Sequence, residues 1–260
     1  NIIYCKPNLL SKTTDLVNFD KKCNNFVKKG INAANINNPS NLSKLRLLTF
    51  IDGGIDLDFF MAKLLSNNTL KLVINGCIKL INNAIIPMNK QNLYHYDVKG
   101  GNMLIDNDNN LRLIDWGLAG ISTPNNIPNI IKFRPITYNN PYSGLFINDL
   151  FKRDYKIFLD QYKTNYKKHI NRFVYQFYDK MLVQRGQGHH EYVITQFKTL
   201  NQIMPLTNNH TAKTQKTGLA IIYDYLINTL LYFTDENGFD EPKFMEVFNH
   251  NCDIWGLLMT

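Results

Sequence analysis

The residues best equipped for chemistry lie in Tyr94-His95-Tyr96-Asp97-Val98-Lys99-Gly100-Gly101-Asn102-Met103-Leu104, followed by Leu113-Ile114-Asp115-Trp116-Gly117. Three oxygen-bearing side chains stand at fixed spacing: Asp97, then Asn102 five residues on, then Asp115 eighteen after Asp97. Hard divalent cations carrying a polyphosphate take oxygen ligands, and an acceptor hydroxyl needs a carboxylate within hydrogen-bonding reach. Phosphoryl transfer has those needs, because the protein there mainly positions groups and neutralises charge.

A loop followed by a hairpin would bring the three side chains to one point, and the flanking sequence supplies both. Leu70, Val73, Ile74, Cys77, Ile78, Ile81 and Ile85 recur at i, i+3, i+4 and i+7, which predicts a core helix leading toward the loop, capped by Ser66-Asn67-Asn68. Two short strands, 103–105 and 111–114, flank the turn-forming Asp106-Asn107-Asp108-Asn109-Asn110. Upstream, 2–5 and 45–51 read as strands, the second broken by Gly53-Gly54, and 15–29 reads as a polar helix. Downstream, 151–183 predicts a long aromatic and basic helix or helix pair, and 213–233 and 243–248 further helices.

On these residues the chain resembles the protein-kinase family, whose catalytic loop reads H-R-D-L-x-x-x-N and whose metal motif reads D-F-G. The resemblance implies ATP and Mg²⁺ as cofactors and protein Ser/Thr hydroxyls as acceptors. Asp97 would be the catalytic base, Asn102 and Asp115 the Mg²⁺ ligands, and Lys99 the lysine beside the transferred phosphate. His95 would be structural. Residues 48–54 look like the hinge that binds adenine, with Leu48 as gatekeeper and Phe50 in the cofactor-binding stretch. Ile2-Ile3-Tyr4-Cys5-Lys6 resembles the V-A-I-K strand, making Lys6 the contact to the α- and β-phosphates. Asp253-Ile254-Trp255 is similar to the start of the helix that anchors the catalytic loop from below.

The departures are specific. No glutamate precedes Glu191, which leaves Asp15 or Asp20 to pair with the strand lysine, and no Gly-rich phosphate loop precedes Lys6. Tyr96 replaces the family's arginine, so that position cannot clamp an activation-loop phosphate. Activity independent of phosphorylation there is the expectation. Trp116 stands for the usual Phe, and Asn139-Asn140-Pro141-Tyr142-Ser143 occupies the place of Ala-Pro-Glu. Asp115 and Asp253 are 138 residues apart, far more than the family needs, which implies a helical insertion. The expected organisation is an α+β, protein-kinase-like fold with a mainly α-helical C-lobe. Residues 1–52 form a partial N-lobe to the hinge, 53–141 the C-lobe core, 142–250 the insertion and 251–260 the start of the anchoring helix. Such a divergent kinase is most similar to those of large nucleocytoplasmic DNA viruses, which places it in host cytoplasm or the virion. The chain opens on Asn1 rather than Met and reads as trimmed or partial.

Two other classes fit some of the same residues. Leu113-Ile114-Asp115-Trp116 also resembles small-molecule phosphotransferases of the aminoglycoside or choline kinase kind. Against that stand Lys99, Gly117 directly after Trp116, and Asp253-Ile254-Trp255. The missing Glu and Gly-rich loop would suit a pseudokinase used as a binding or structural module in a virus particle, which the intact Asp97, Asn102 and Asp115 oppose.

Composition narrows the field further. The 29 Lys+Arg exceed the 21 Asp+Glu by 8, but the 36 Asn, with abundant Ile and Lys, mark an AT-rich coding bias that itself supplies positive charge. A nucleic acid would find its best surface on the basic helix 152–172, whose interleaved aromatics have the spacing of a core face. Four cysteines without Cys-x-x-Cys spacing exclude a zinc ribbon and suit a reducing compartment. The apolar run 218–233, interrupted by Asp224 and Asn228, is too short and polar for a membrane span, so none is expected. Gly186-Gln187-Gly188-His189-His190-Glu191 reads as a glycine-bounded loop rather than a metal site, since adjacent helical side chains diverge by about 100°.

Overall fold

The computed structural model describes residues 3–5, 16, 18–45, 47–49, 52–63, 66–123, 126–203 and 218–260, with backbone alone for 3–5, 47–49 and 200–203. They fall into two compact units, Asn1–Gly53 and Gly54–Thr260, divided within the Gly53-Gly54 pair.

In the first unit, β1 (Ile3–Cys5) pairs antiparallel with β2 (Leu47–Thr49), Ile3 opposite Thr49 and Cys5 opposite Leu47. Between them come α1 (Phe19–Lys22), α2 (Asn24–Val27) and α3 (Pro39–Leu42). The single helix expected over 15–29 is two short ones, because the backbone at Cys23 leaves the helical basin (φ −112°, ψ 38°). The Asp20 carboxylate accepts from the Ala33 backbone N–H at 2.7 Å, serving a loop of its own unit. Ile31, Ile36 and Leu42 are its buried apolar side chains among those described. Lys6, Asp15 and Phe50 lie outside the described residues, and Leu48 lies within β2.

The second unit opens with β3 (Ile55–Asp56), paired antiparallel with β5 (Met103–Ile105), which in turn pairs with β6 (Leu111–Leu113). Asp56 caps α4 (Leu57–Met61) by accepting from the Phe59 N–H at 2.8 Å. Ser66 caps α5 (Asn67–Leu80), its hydroxyl accepting from the Thr69 N–H at 3.1 Å. Pro87 has no N–H for the carbonyl four residues back, and the helix widens into a π turn, Ile81–Ile85, before α6 (Ile86–Asn89). The short β4 (Leu93–Tyr94) leads into the Asp97 loop and pairs with β7 (Gly120–Ile121). In the hairpin between β5 and β6, Asp106 accepts from the N–H groups of Asp108 and Asn110, and Asn109 takes the left-handed conformation.

The rest is helical: α7 (Asn129–Lys132), α8 (Asp149–Tyr162), α9 (Tyr166–Arg185), α10 (His190–Ile203), α11 (Gly218–Tyr232) and α12 (Glu241–Leu258). A small hairpin of β8 (Thr234–Asp235) and β9 (Gly238–Phe239) joins the last two helices. The described chain is thus mixed α/β, mostly helical, with small antiparallel sheets.

Two apolar clusters fill this unit. One packs α5 and the π turn on the β5–β6 hairpin, through Val73, Leu80, Ile85, Met103, Ile105 and Leu111. The other is aromatic and runs through α8, α9, α11 and α12, with Phe146, Phe151, Tyr155 and Phe177 at its centre. The loop between β4 and β5 feeds both, Tyr94 and Tyr96 into the aromatic cluster and Val98 into the other. Two sequence expectations change here. Residues 142–250 share the aromatic core with Tyr94 and Tyr96 of the Asp97 loop, and the expected boundary at 250/251 falls inside the continuous α12. On α5, Val73 and Leu80 are buried but Leu70, Ile74 and Ile78 are 41%, 49% and 49% exposed, so the core stripe is narrower than the apolar periodicity. By length and composition Asn67–Asn89 would reach across a bilayer; 22% of its most apolar stretch is buried inside the protein, at Val73, Gly76, Leu80 and Ile85.

Candidate active site

Asp97 is buried, and its carboxylate accepts from four side chains. Oδ2 takes Lys99 Nζ and Asn102 Nδ2, each at 2.8 Å; Oδ1 takes Arg134 Nη2 at 2.6 Å and Asn139 Nδ2 at 2.9 Å. Burial works against the charged form, but the hydrogen bonds from Lys99, Asn139 and Arg134 outweigh it and hold the carboxyl at about 2. Asn102 Nδ2 also donates to the Asp97 carbonyl at 2.9 Å, so its Oδ1 faces away from Asp97.

The link from this loop to Asp115 runs through His95, which is fully buried. The Asp97 N–H donates to His95 Nδ1 at 3.3 Å, which leaves the ring proton on Nε2 to donate to the Ile114 carbonyl at 2.9 Å. The Ile114 N–H donates to the Asn102 carbonyl at 3.0 Å, and the His95 ring stands edge-on to Trp116 with centroids 4.8 Å apart. Asp115 is the next residue along, exposed and left-handed (φ 60°), its Oδ1 accepting from the Gly117 N–H at 3.4 Å. Asp97, Lys99 and Asn102 are therefore in mutual contact, and Asp115 follows directly the residue bonded to Asn102.

The loop is held from beneath by α12. Asp253 accepts from the backbone N–H groups of His95 at 2.9 Å and Tyr96 at 2.8 Å, and Trp255 Nε1 donates to the Tyr138 carbonyl at 3.0 Å. Burial raises the Asp253 pKa, and the two N–H groups it accepts from oppose the rise. Gly256 permits the approach, since a Cβ there would fall 2.4 Å from the Val98 carbonyl oxygen.

Tyr96, left-handed at φ 61° and buried, points into the aromatic core, where its hydroxyl donates to Asn249 Oδ1 at 3.2 Å. Burial pushes its phenol pKa up, keeping it a neutral donor. Its carbonyl accepts from Arg134 Nη1, and from Asn140 Nδ2 at 3.1 Å. Sequence reading missed Arg134, Asn139 and Asn140 as site residues. The available signals were slight: Arg134 is the sole arginine between Arg112 and Arg153, and the Asn139-Asn140 pair resembled many other Asn pairs.

Of the remaining expected site residues, Leu48 belongs to the first unit, and Lys6 and Phe50 lie outside the described residues. Among the described residues no group of three or more His, Cys, Asp or Glu side chains forms a metal site. One carboxylate and one amide suit a cation whose other ligands come from phosphate and water. No family model, curated protein or solved structure matches the chain.

Proposed function

We propose that the chain is an ATP- and Mg²⁺-dependent phosphotransferase of the protein-kinase type, acting on protein Ser/Thr hydroxyls. The observation that carries this reading is the Asp97 carboxylate, ionised and locked between Lys99 and Asn102 on one oxygen and Arg134 and Asn139 on the other. Asn102 Oδ1 and the exposed Asp115 carboxylate are the groups that would hold Mg²⁺, whose charge would offset that of the phosphates. Lys99, whose side chain is 32% exposed and paired with Asp97, can neutralise charge on the transferred group.

A carboxyl held at about 2 is a weak base, and its two oxygens already accept two side-chain donors each. Lys99 would therefore have to swing from Oδ2 to the transferred phosphate before Asp97 accepts the acceptor's O–H hydrogen bond and aims its oxygen. Proton loss can follow late, as suits a loose phosphoryl-transfer transition state. The Asp253 and Trp255 contacts support the protein-kinase reading of α12, and the Asn/Ile/Lys-rich composition supports a viral origin.

Asp97→Asn should lower kcat for phosphate transfer by about 10³. Stabilisation by ATP with Mg²⁺, about 2.7 kcal/mol at a hundred times Kd, should persist in Asp97→Asn and vanish in Asp115→Asn. Phosphate transfer surviving both substitutions would sink the reading. Peptide acceptors should be used and sugar or choline acceptors refused.

A further inference from the structure

Arg134 and Asn139 reach Asp97 from a segment that is itself held by the turn between α9 and α10. Arg185, at the end of α9, donates from Nη1 to the Arg134 carbonyl at 3.1 Å. The His189 N–H donates to the Ile136 carbonyl at 2.8 Å. The Tyr138 ring stacks on His189 at 5.4 Å between centroids and meets Tyr192 at 5.5 Å. Gly188 is left-handed (φ +51°), and a Cβ there would stand 2.3 Å from the Ile136 carbonyl oxygen, so the turn and the segment touch backbone to backbone. Among the described residues Arg185 Nη2 is buried without a hydrogen-bond partner, and burial draws the Arg185 pKa down to about 10. Its guanidinium donates, among the same residues, to the carbonyl of Arg134, the residue that grips Asp97.

We propose that the Arg185–Tyr192 turn is an intramolecular clamp, holding the segment 134–140 so that Arg134 and Asn139 position the Asp97 carboxylate without a phosphate on that segment. The inference rests on the phosphotransferase reading for its catalytic meaning. It assigns to residues 142–250 a task, and to Arg134 the role of a positioning residue. It also accounts for Tyr96: the guanidinium that grips this loop comes from the segment, so no arginine in the loop has to grip a phosphate.

The test uses the full chain and the variants Arg134→Gln, Arg185→Ala and Gly188→Ala, with Arg185→Lys as the milder change should Arg185→Ala not fold. One readout is hydrogen exchange of the backbone amides of residues 134–140, followed by mass spectrometry, which needs no activity. The other is Mg²⁺-ATP-dependent phosphate transfer to dephosphorylated casein, before and after phosphatase treatment of the protein. In the turn variants exchange over 134–140 should speed up at least about tenfold relative to the wild type. The kcat should drop by up to about a hundredfold, with KM for ATP unchanged, and phosphatase should leave the wild type as active as before. Unchanged exchange over 134–140 in the turn variants, or loss of wild-type turnover after phosphatase, would overturn the clamp. Faster exchange in the turn variants of a protein whose wild type transfers no phosphate would keep the clamp and remove the phosphotransferase reading instead.

Discussion

Asp97 lies in the loop between β4 and β5 and Asp253 accepts from two backbone N–H groups of that loop, and the pKa values of the two carboxyls are shifted in opposite directions. The Asp97 pKa is depressed, so the stability it contributes is full above the unfolded carboxyl value of about 3.9 and is lost as pH falls through about 2. Asp253 is raised by burial, so its contribution is present at low pH and lost as pH rises through its folded value. Asp97→Asn should therefore flatten the fall in urea midpoint between about pH 4 and pH 2. An acid limb as steep in the variant as in the wild type would mean that Asp97 is not held as described. At this scale the sequence showed the reactive residue types and their spacing but not their partners. Arg134 is 37 residues from Asp97 and Asn139 is 42, and nothing local marks either as a ligand of that carboxylate.

At the scale of elements, α5 shows how far periodicity reaches. Its Ser66 cap and helical run were legible, since capping and apolar spacing are local. Which apolar positions are covered was not, because that depends on where the β5–β6 hairpin lies. Leu80→Ala should cost about 2–5 kcal/mol in denaturant unfolding, whereas Ile74→Ser, on the open face, should stay within about 0.5 kcal/mol. Equal losses at both positions would contradict the observed burial. The turn of Asp106 to Asn110 and the α8–α9 helix pair followed from turn chemistry and patterning in the same way. The break at Cys23 and the π turn before Pro87 did not.

For the molecule as a whole, the aromatic cluster decides the organisation. Tyr94 and Tyr96 sit in the same core as Phe151, Tyr155 and Phe177, so the loop bearing Asp97 is built on the long helices. A chain ending at residue 141 would leave both tyrosines uncovered and strip the loop of Asp253. Such a truncation should lack a cooperative thermal transition, and a sharp one would show that residues 142–260 are dispensable to the core.

By itself, the sequence determined the candidate chemistry, the order of the elements and the helical character of the second half. These depend on residue type and on spacings of two to eighteen residues, where helix and strand periods and turn preferences act. Tertiary structure alone decided that Arg134 and Asn139 occupy Asp97 Oδ1, that Asp253 takes two backbone N–H groups of the loop, and that the Arg185–Tyr192 turn holds the segment between. Each of those contacts joins residues tens to more than a hundred and fifty positions apart. Burial makes such polar pairings costly to leave unmade, but only the folded chain shows which partners are in reach.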